Sequence, residues 1–251
     1  MTSHFGALAD DFYISARLHL KLDLSLDRET TLHFFERVRR RFPTMRKLRR
    51  RDDDCLVFEE EGQEGDPYRW LRLEPGCVRF GFYAPPSIDE YRAYARFLLE
   101  QAPPHLTLSD LDIDQLELLY GFDMEYRGNH DQLVAETFYA NHPFAAFVSA
   151  DEAMHVIDCQ PYLGITLAPA CDVQAYLEVK GRTSTYEVRT GEFEQQAVSV
   201  YLMVRKYWGF SGPADLVQMH EELADHANTL AQDKVVPLVV NPLAQAIASR
   251  P

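Results

Sequence analysis

Residues 12–26, FYISARLHLKLDLSL, decide the fold: Ile14, Ala16, Leu18, Leu20, Leu22, Leu24 and Leu26 alternate with Ser15, Arg17, His19, Lys21, Asp23 and Ser25. Successive side chains of an extended chain point to opposite faces, so this alternation predicts a strand with one buried face. Asp27 then stands at a helix N-cap position, and Leu32, Phe35, Val38, Arg39 and Phe42 recur at helical spacing until Pro43 stops the helix. Shifted by 100, the strand positions 14, 16, 18, 20, 22 and 24 become Asp114, Leu116, Leu118, Tyr120, Phe122 and Met124, five of the six apolar. The register continues unbroken from Phe34 to Val134, from Val38 to Phe138 and from Phe42-Pro43 to His142-Pro143. A strand, a helix and its proline stop are repeated.

Working outward, short strands are predicted around Leu48, over residues 55–60 and over residues 70–83. Ser87 caps a second helix whose buried side carries Ile88, Tyr91, Tyr94, Ala95, Leu98 and Leu99, and Pro103-Pro104 ends it. The second copy predicts strands at residues 154–157, 164–167, 173–179, 184–188 and 197–207, with turns at Lys180-Gly181 and Thr190-Gly191 and about one extra hairpin. Asp215, Leu216, Met219 and Leu223 then open a final helix that matches Ser87, Ile88, Tyr91 and Ala95. The fold class is therefore α+β: two tandem β-α-β-β-(β)-α units about a pseudo-twofold. They form one mainly antiparallel sheet with helices packed on one face. The units divide as residues 1–105 and 106–251, packed as one globular body, and the proline-broken tail at 235–248 is expected to dock on it.

Composition agrees with a folded, soluble chain: 251 residues, 46% apolar and 25% charged. Neither a secretory leader nor an apolar run of spanning length is read, and Cys55, Cys77, Cys159 and Cys171 lack CxxC spacing, so a cytoplasmic setting with reduced thiols is expected. The formal charge of −14 disfavours nucleic acid and anionic membrane. That average conceals an asymmetry: Arg37, Arg39, Arg40, Arg41, Arg46, Lys47, Arg49, Arg50 and Arg51 gather nine of the 25 basic groups, while 39 acids are spread over the rest.

The stretch LHFFERV at residues 32–38 leading to Arg41-Phe42-Pro43, the run Tyr91-Arg92-Ala93-Tyr94, and the strand LELLYG at residues 116–121 resemble, in order and spacing, an uncharacterised, sporadically distributed bacterial protein family of this length. The strand that carries a tryptophan in that family reads VRFGFY here, at residues 78–83. The resemblance implies a bacterial protein and brings no functional residues with it.

Chemical motifs are weak. His155 and Cys159 share a face of the predicted strand but would lie about 13 Å apart, too far for one metal. His220 and His226 are six apart, which separates them by about 120° around a helix, unlike a zinc helix. Gly209-Phe210-Ser211-Gly212-Pro213 breaks the G-x-S-x-G nucleophile signature at its last position. No phosphate-cradling glycine loop or calcium loop occurs. No catalytic residue, metal or cofactor is assigned.

The sequence thus predicts a non-catalytic binding protein. It would engage a protein partner, or a second copy of itself, through the basic ridge of Arg37, Arg40, Arg41, Arg46, Lys47, Arg49, Arg50 and Arg51 or through the acidic remainder. Composition also fits an antitoxin or immunity role. The alternative is a small-molecule-binding or hydrolytic protein whose pocket lies between the two units, lined by Tyr120, Phe122, His142, His155, Tyr207 and Trp208.

Overall fold

The computed structural model describes residues 5–24, 27–51, 54–62, 65–148, 154–207 and 215–250. Strand β1 (Asp11–Leu20) buries Phe12, Ile14, Ala16 and Leu18, as its alternation requires. It is shorter than the apolar pattern: Leu22 is exposed, and Ser25 and Leu26 lie outside the described residues. A strand persists only while it has ladder partners. β5 (Cys77–Tyr83) begins opposite His19 and β6 (Ile113–Arg127) opposite Leu20, so nothing remains for Leu22 to pair with.

Asp27 caps α1 (Arg28–Arg41) by accepting the Thr30 N–H at 3.0 Å. The helix buries Thr31, Phe34, Phe35 and Val38 and leaves Leu32 exposed, so its core stripe runs through Phe34 rather than Leu32. Strands β2 (Met45–Arg50), β3 (Leu56–Glu60), β4 (Tyr68–Glu74) and β5 follow as an antiparallel meander, the turn after Glu74 dividing what reads in sequence as one long strand. Ser87 caps α2 (Ile88–Leu106). The helix continues through Pro103 and Pro104 and stops only at Thr107, which adopts φ 56°. Where the sequence predicts an ending at the prolines, the fold tolerates them in the last turns, and the left-handed cap residue terminates the helix.

The second half again opens on a strand and a helix and closes on a strand and a helix, but it has one strand fewer between them and a further short helix inserted among them. β6 leads to α3 (His130–Tyr139), capped by Asn129, and a single turn α4 (Ala145–Val148); then come β7 (Tyr162–Thr166), β8 (Val173–Lys180), α5 (Thr185–Thr190), β9 (Gln195–Tyr207) and α6 (Leu216–Leu230). A π-helical segment, Ala231–Val240, joins α6 to α7 (Asn241–Ala248). Two predicted strands are absent. Residues 154–161 cross the start of α3 as irregular chain, because Asn129, Gln132 and Asp131 bond their backbone at Val156 and Cys159 and leave no ladder. Residues 184–188 fall in α5, where Ser184 and Glu187 form a reciprocal capping box that favours helix over the predicted hairpin.

All nine strands form one antiparallel sheet, ordered β2-β3-β4-β5-β1-β6-β9-β8-β7. Outward from the central β1–β6 pair, each half places the strand before its last helix first, β5 on one side and β9 on the other. Helices α1, α2 and α6 cover one face over a single continuous core. The tail packs back on the body: Val240 and Leu243 are buried, and Arg250 bonds Tyr126 and Glu136. No helix among the described residues is long and apolar enough to cross a membrane.

Between α2 and α6, Arg92 bonds Glu221 and Asp225, and beneath them the Tyr91 hydroxyl lies 3.1 Å from His220 Nε2. His220 is fully buried, and that burial, with the Arg92 charge, pushes its imidazole down to about 3. The folded state therefore holds it neutral while the unfolded chain protonates it near 6.5, so stability is lost as pH falls below 6.5. Urea unfolding at pH 7.5 and pH 5 should differ by about 2 kcal/mol more for the parent than for a His220→Leu/Tyr91→Phe double variant, which lacks the titrating pair. An equal pH response in both would show that His220 is not held neutral.

Candidate anion-binding face

The basic run divides once it folds. Arg37, Arg40 and Arg41 sit on α1, where Arg37 Nε donates to Gln101 Oε1 at 3.0 Å, Arg40 lies 4.0 Å from Glu36, and the Arg41 guanidinium lies over Phe42. Residues 46–50 belong to β2, an edge strand whose one partner among the described residues is β3, and they are exposed, as is Arg51 just beyond the strand. Alternation splits them again. Lys47 and Arg49 lie beside Glu59, which bonds both, on the face away from the helices. Leu48 and Arg50 lie on the helix side, where they join Leu32, Phe35 and Leu56 around a groove of about 330 Å³. Arg46 Nε donates to the Pro43 carbonyl, and Arg50 pairs with Asp54. The neighbouring Asp52 and Asp53 lie outside the described residues.

The sheet face not covered by α1, α2 and α6 holds a feature that no contiguous stretch announces. Directly opposed residues form one row across all nine strands: Arg49, Val57, Arg72, Arg79, Arg17, Glu117, Arg205, Gln174 and Thr166. Glu117 is taken by Arg205 at 2.6 Å. Arg72, Arg79 and Arg17 thus stand side by side on β4, β5 and β1, and none of them forms an ion pair among the described residues. Like charges directly opposed across a ladder destabilise it. Burial, and then the Arg17 and Arg72 charges, hold the Arg79 guanidinium below its ordinary range. The Nε–H groups of Arg17 and Arg72 are buried without a hydrogen-bond acceptor. Unmet donors and unmatched charge at one place are the kind of local conflict that folds retain at functional sites.

Aromatic rings floor and flank this row. Trp70 is opposite Gly81, Tyr13 opposite Gly121 and Tyr176 opposite Gly164, and each ring lies flat over its glycine. The Arg72 and Arg79 guanidiniums sit 4.9 Å and 5.3 Å from the Trp70 centroid, and Arg205 lies 4.8 Å from that of Tyr176. Cation–π contact therefore replaces the missing carboxylates and holds the guanidiniums in place. Tyr68, Tyr83 and Tyr13 line up one row beyond Trp70 and Gly81, and Tyr83 donates to Asp11. Nucleophilic chemistry has little foothold here, since burial pushes the Cys77 thiol on this face up to about 12.

The described residues of the predicted inter-unit pocket are spread over different places in the fold. Tyr120 and Phe122 are fully buried on the helix side, packed against Phe5 and Phe12. Tyr207 ends β9 on the opposite face, across from Gln115. His142 and His155 are exposed, the former stacked edge-on with Tyr139 and Phe144. Trp208 and the Gly209–Pro213 loop lie outside the described residues. On α6, His220 is buried and His226 exposed, and no cluster of three metal-ligating side chains occurs among the described residues. No family model and no curated protein sequence matches this chain.

The glycine beneath Trp70 gives a direct check on the face. A Cβ at Gly81 would come 2.5 Å from the Trp70 ring and 2.7 Å from the Ile14 carbonyl, and the latter is backbone that cannot swing aside. Gly81→Ala should cost about 1–3 kcal/mol in urea unfolding and shift the tryptophan emission. An unchanged midpoint and spectrum would mean that Trp70 does not lie on the sheet.

Proposed function

We propose that this chain is a non-catalytic, cytoplasmic binding protein that holds an extended acidic segment of a partner protein along β2. The observation that carries this reading is an edge strand whose outer backbone has no ladder partner among the described residues and whose exposed residues 46–50 include Arg46, Lys47, Arg49 and Arg50, with Arg51 directly after them. Strand addition supplies main-chain hydrogen bonds, while alternate side chains of the guest meet different surfaces. On the helix side a guest strand meets the groove beside Leu48, Leu32 and Phe35 and takes apolar side chains; on the other it meets Lys47 and Arg49 and takes carboxylates. The acidic balance of the rest of the molecule disfavours an approach elsewhere and steers an anionic segment to this end. The free thiols of Cys77, Cys159 and Cys171 fit a reducing compartment.

The test uses a defined guest, a soluble peptide of alternating valine and glutamate. Its affinity should fall about tenfold or more for Lys47→Glu/Arg49→Glu, the two exposed cations on the face that takes the guest's carboxylates, and should weaken steeply with salt. Hydrogen exchange should slow at β2 on binding and remain unchanged at β7, the opposite edge. Equal affinity in parent and variant, or protection confined to β7, would overturn the reading.

A further inference from the structure

The arginine row has its own consequence, independent of what pairs with β2. Arg72, Arg79 and Arg17 project from three neighbouring strands, so their backbone attachments span about 10 Å at ordinary strand spacing. Two of the three guanidiniums rest over Trp70, whose inner side is pressed against Gly81. The three guanidiniums form no ion pair among the described residues, although the Glu74 carboxylate is near enough to act on Arg79, so their charge at this place exceeds that of the acids around it. Glu117, the nearest acid in the row, is already engaged by Arg205.

We propose that Arg17, Arg72 and Arg79 form a binding site for a phosphate monoester on the open sheet face. A carboxylate offers two oxygens and one charge, which a single guanidinium fork already satisfies. A phosphoryl group offers three oxygens and up to two charges, and so bridges two or three forks at once. A base-stacking, nucleic-acid mode is less well served, because one side of Trp70 lies on Gly81 and guanidiniums occupy its vicinity. The phosphoryl group has two sources, a free phosphorylated metabolite or a phosphorylated side chain on a protein.

Trp70 makes the site visible. In a Trp208→Phe background, where Trp70 is the remaining tryptophan, emission is followed at fixed ionic strength against sodium phosphate, sodium acetate, a phosphoserine peptide, the same peptide unphosphorylated, and a single-stranded oligonucleotide. Phosphate should give a saturable change that acetate does not. A phosphopeptide that binds more than about tenfold tighter than phosphate identifies a protein source, and similar affinities identify a free phosphate ester. Arg79→Gln and Arg17→Gln should each weaken phosphate binding about tenfold or more. Arg79→Gln should also raise the melting temperature without anion by about 2 °C, because it relieves the like-charge ladder. That last sign separates a ligand site from a packing role, for which the same change lowers the melting temperature. Absence of a saturable phosphate response, an acetate or oligonucleotide response as strong as that of phosphate, or an Arg79→Gln variant that melts lower or binds phosphate like the parent would overturn the assignment. The β2 charge-reversal variant should keep its phosphate response, so the two readings fail separately.

Discussion

The β1–β6 ladder is the constraint on which everything else rests. Its register, from Asp11 opposite Asp123 to Leu20 opposite Ile113, fixes which side chains of the two central strands turn inward. Directly opposed residues share a face, so the choice made at Ile14 and Tyr120 propagates strand by strand to both edges. A slip of one residue would drive Arg17 into the core and expel Ile14, Ala16 and Leu18 into solvent. Burial of apolar side chains beneath α2 and α6 therefore determines, at a distance, that arginines from β1, β5 and β4 meet on the other side.

The two faces solve opposite problems. Beneath the helices the chain buries large apolar side chains, with a few polar contacts such as that of Tyr91 with His220. On the open face no helix among the described residues covers Arg17, Arg72 and Arg79, and the surface there is covered by side chains lying along it. Glycines admit flat rings, the rings seat guanidiniums, and arginine stems cover apolar surface while the charged heads remain at the solvent boundary. Trp70 offsets part of the repulsion between Arg72 and Arg79, but it cannot satisfy their outward donors.

Much of the architecture was legible in the sequence, because alternation and helical spacing are local signals. The caps at Asp27, Ser87 and Asp215 and the even-numbered core residues of β1 and β6 follow from a few neighbours each. Failures occurred where tertiary or capping interactions override local pattern. Residues 154–157 alternate like a strand, yet the start of α3 claims their backbone; Ser184 and Glu187 cap each other and turn a predicted strand into α5. The candidate site was harder to see. The linear density of arginine drew attention to residues 37–51, whereas Arg17, Arg72 and Arg79 are separated by up to a quarter of the chain and become neighbours only through register.

The register also bears on the repeat. The offset of 100 equates Arg17 with residue 117, and Arg17 and Glu117 are themselves directly opposed at the sheet centre. Any pseudo-twofold relating β1 to β6 by that offset must pass between these two residues, because the rotation that exchanges the strands leaves only that pair in place. On a duplication reading, the ancestral row was symmetric and carried the same residue type on either side. The present row runs Arg17, Arg79, Arg72, Val57 and Arg49 in one direction and Glu117, Arg205, Gln174 and Thr166 in the other. In one half Arg17, Arg79 and Arg72 stand without an ion pair among the described residues and Arg49 is paired with Glu59, while the other half holds one charge pair and two neutral residues. Selection for stability alone would have neutralised both halves, because opposed like charges weaken a ladder wherever they stand. The asymmetry places the unmatched arginines, and with them the proposed anion site, on one side of the axis, while both halves build the single core.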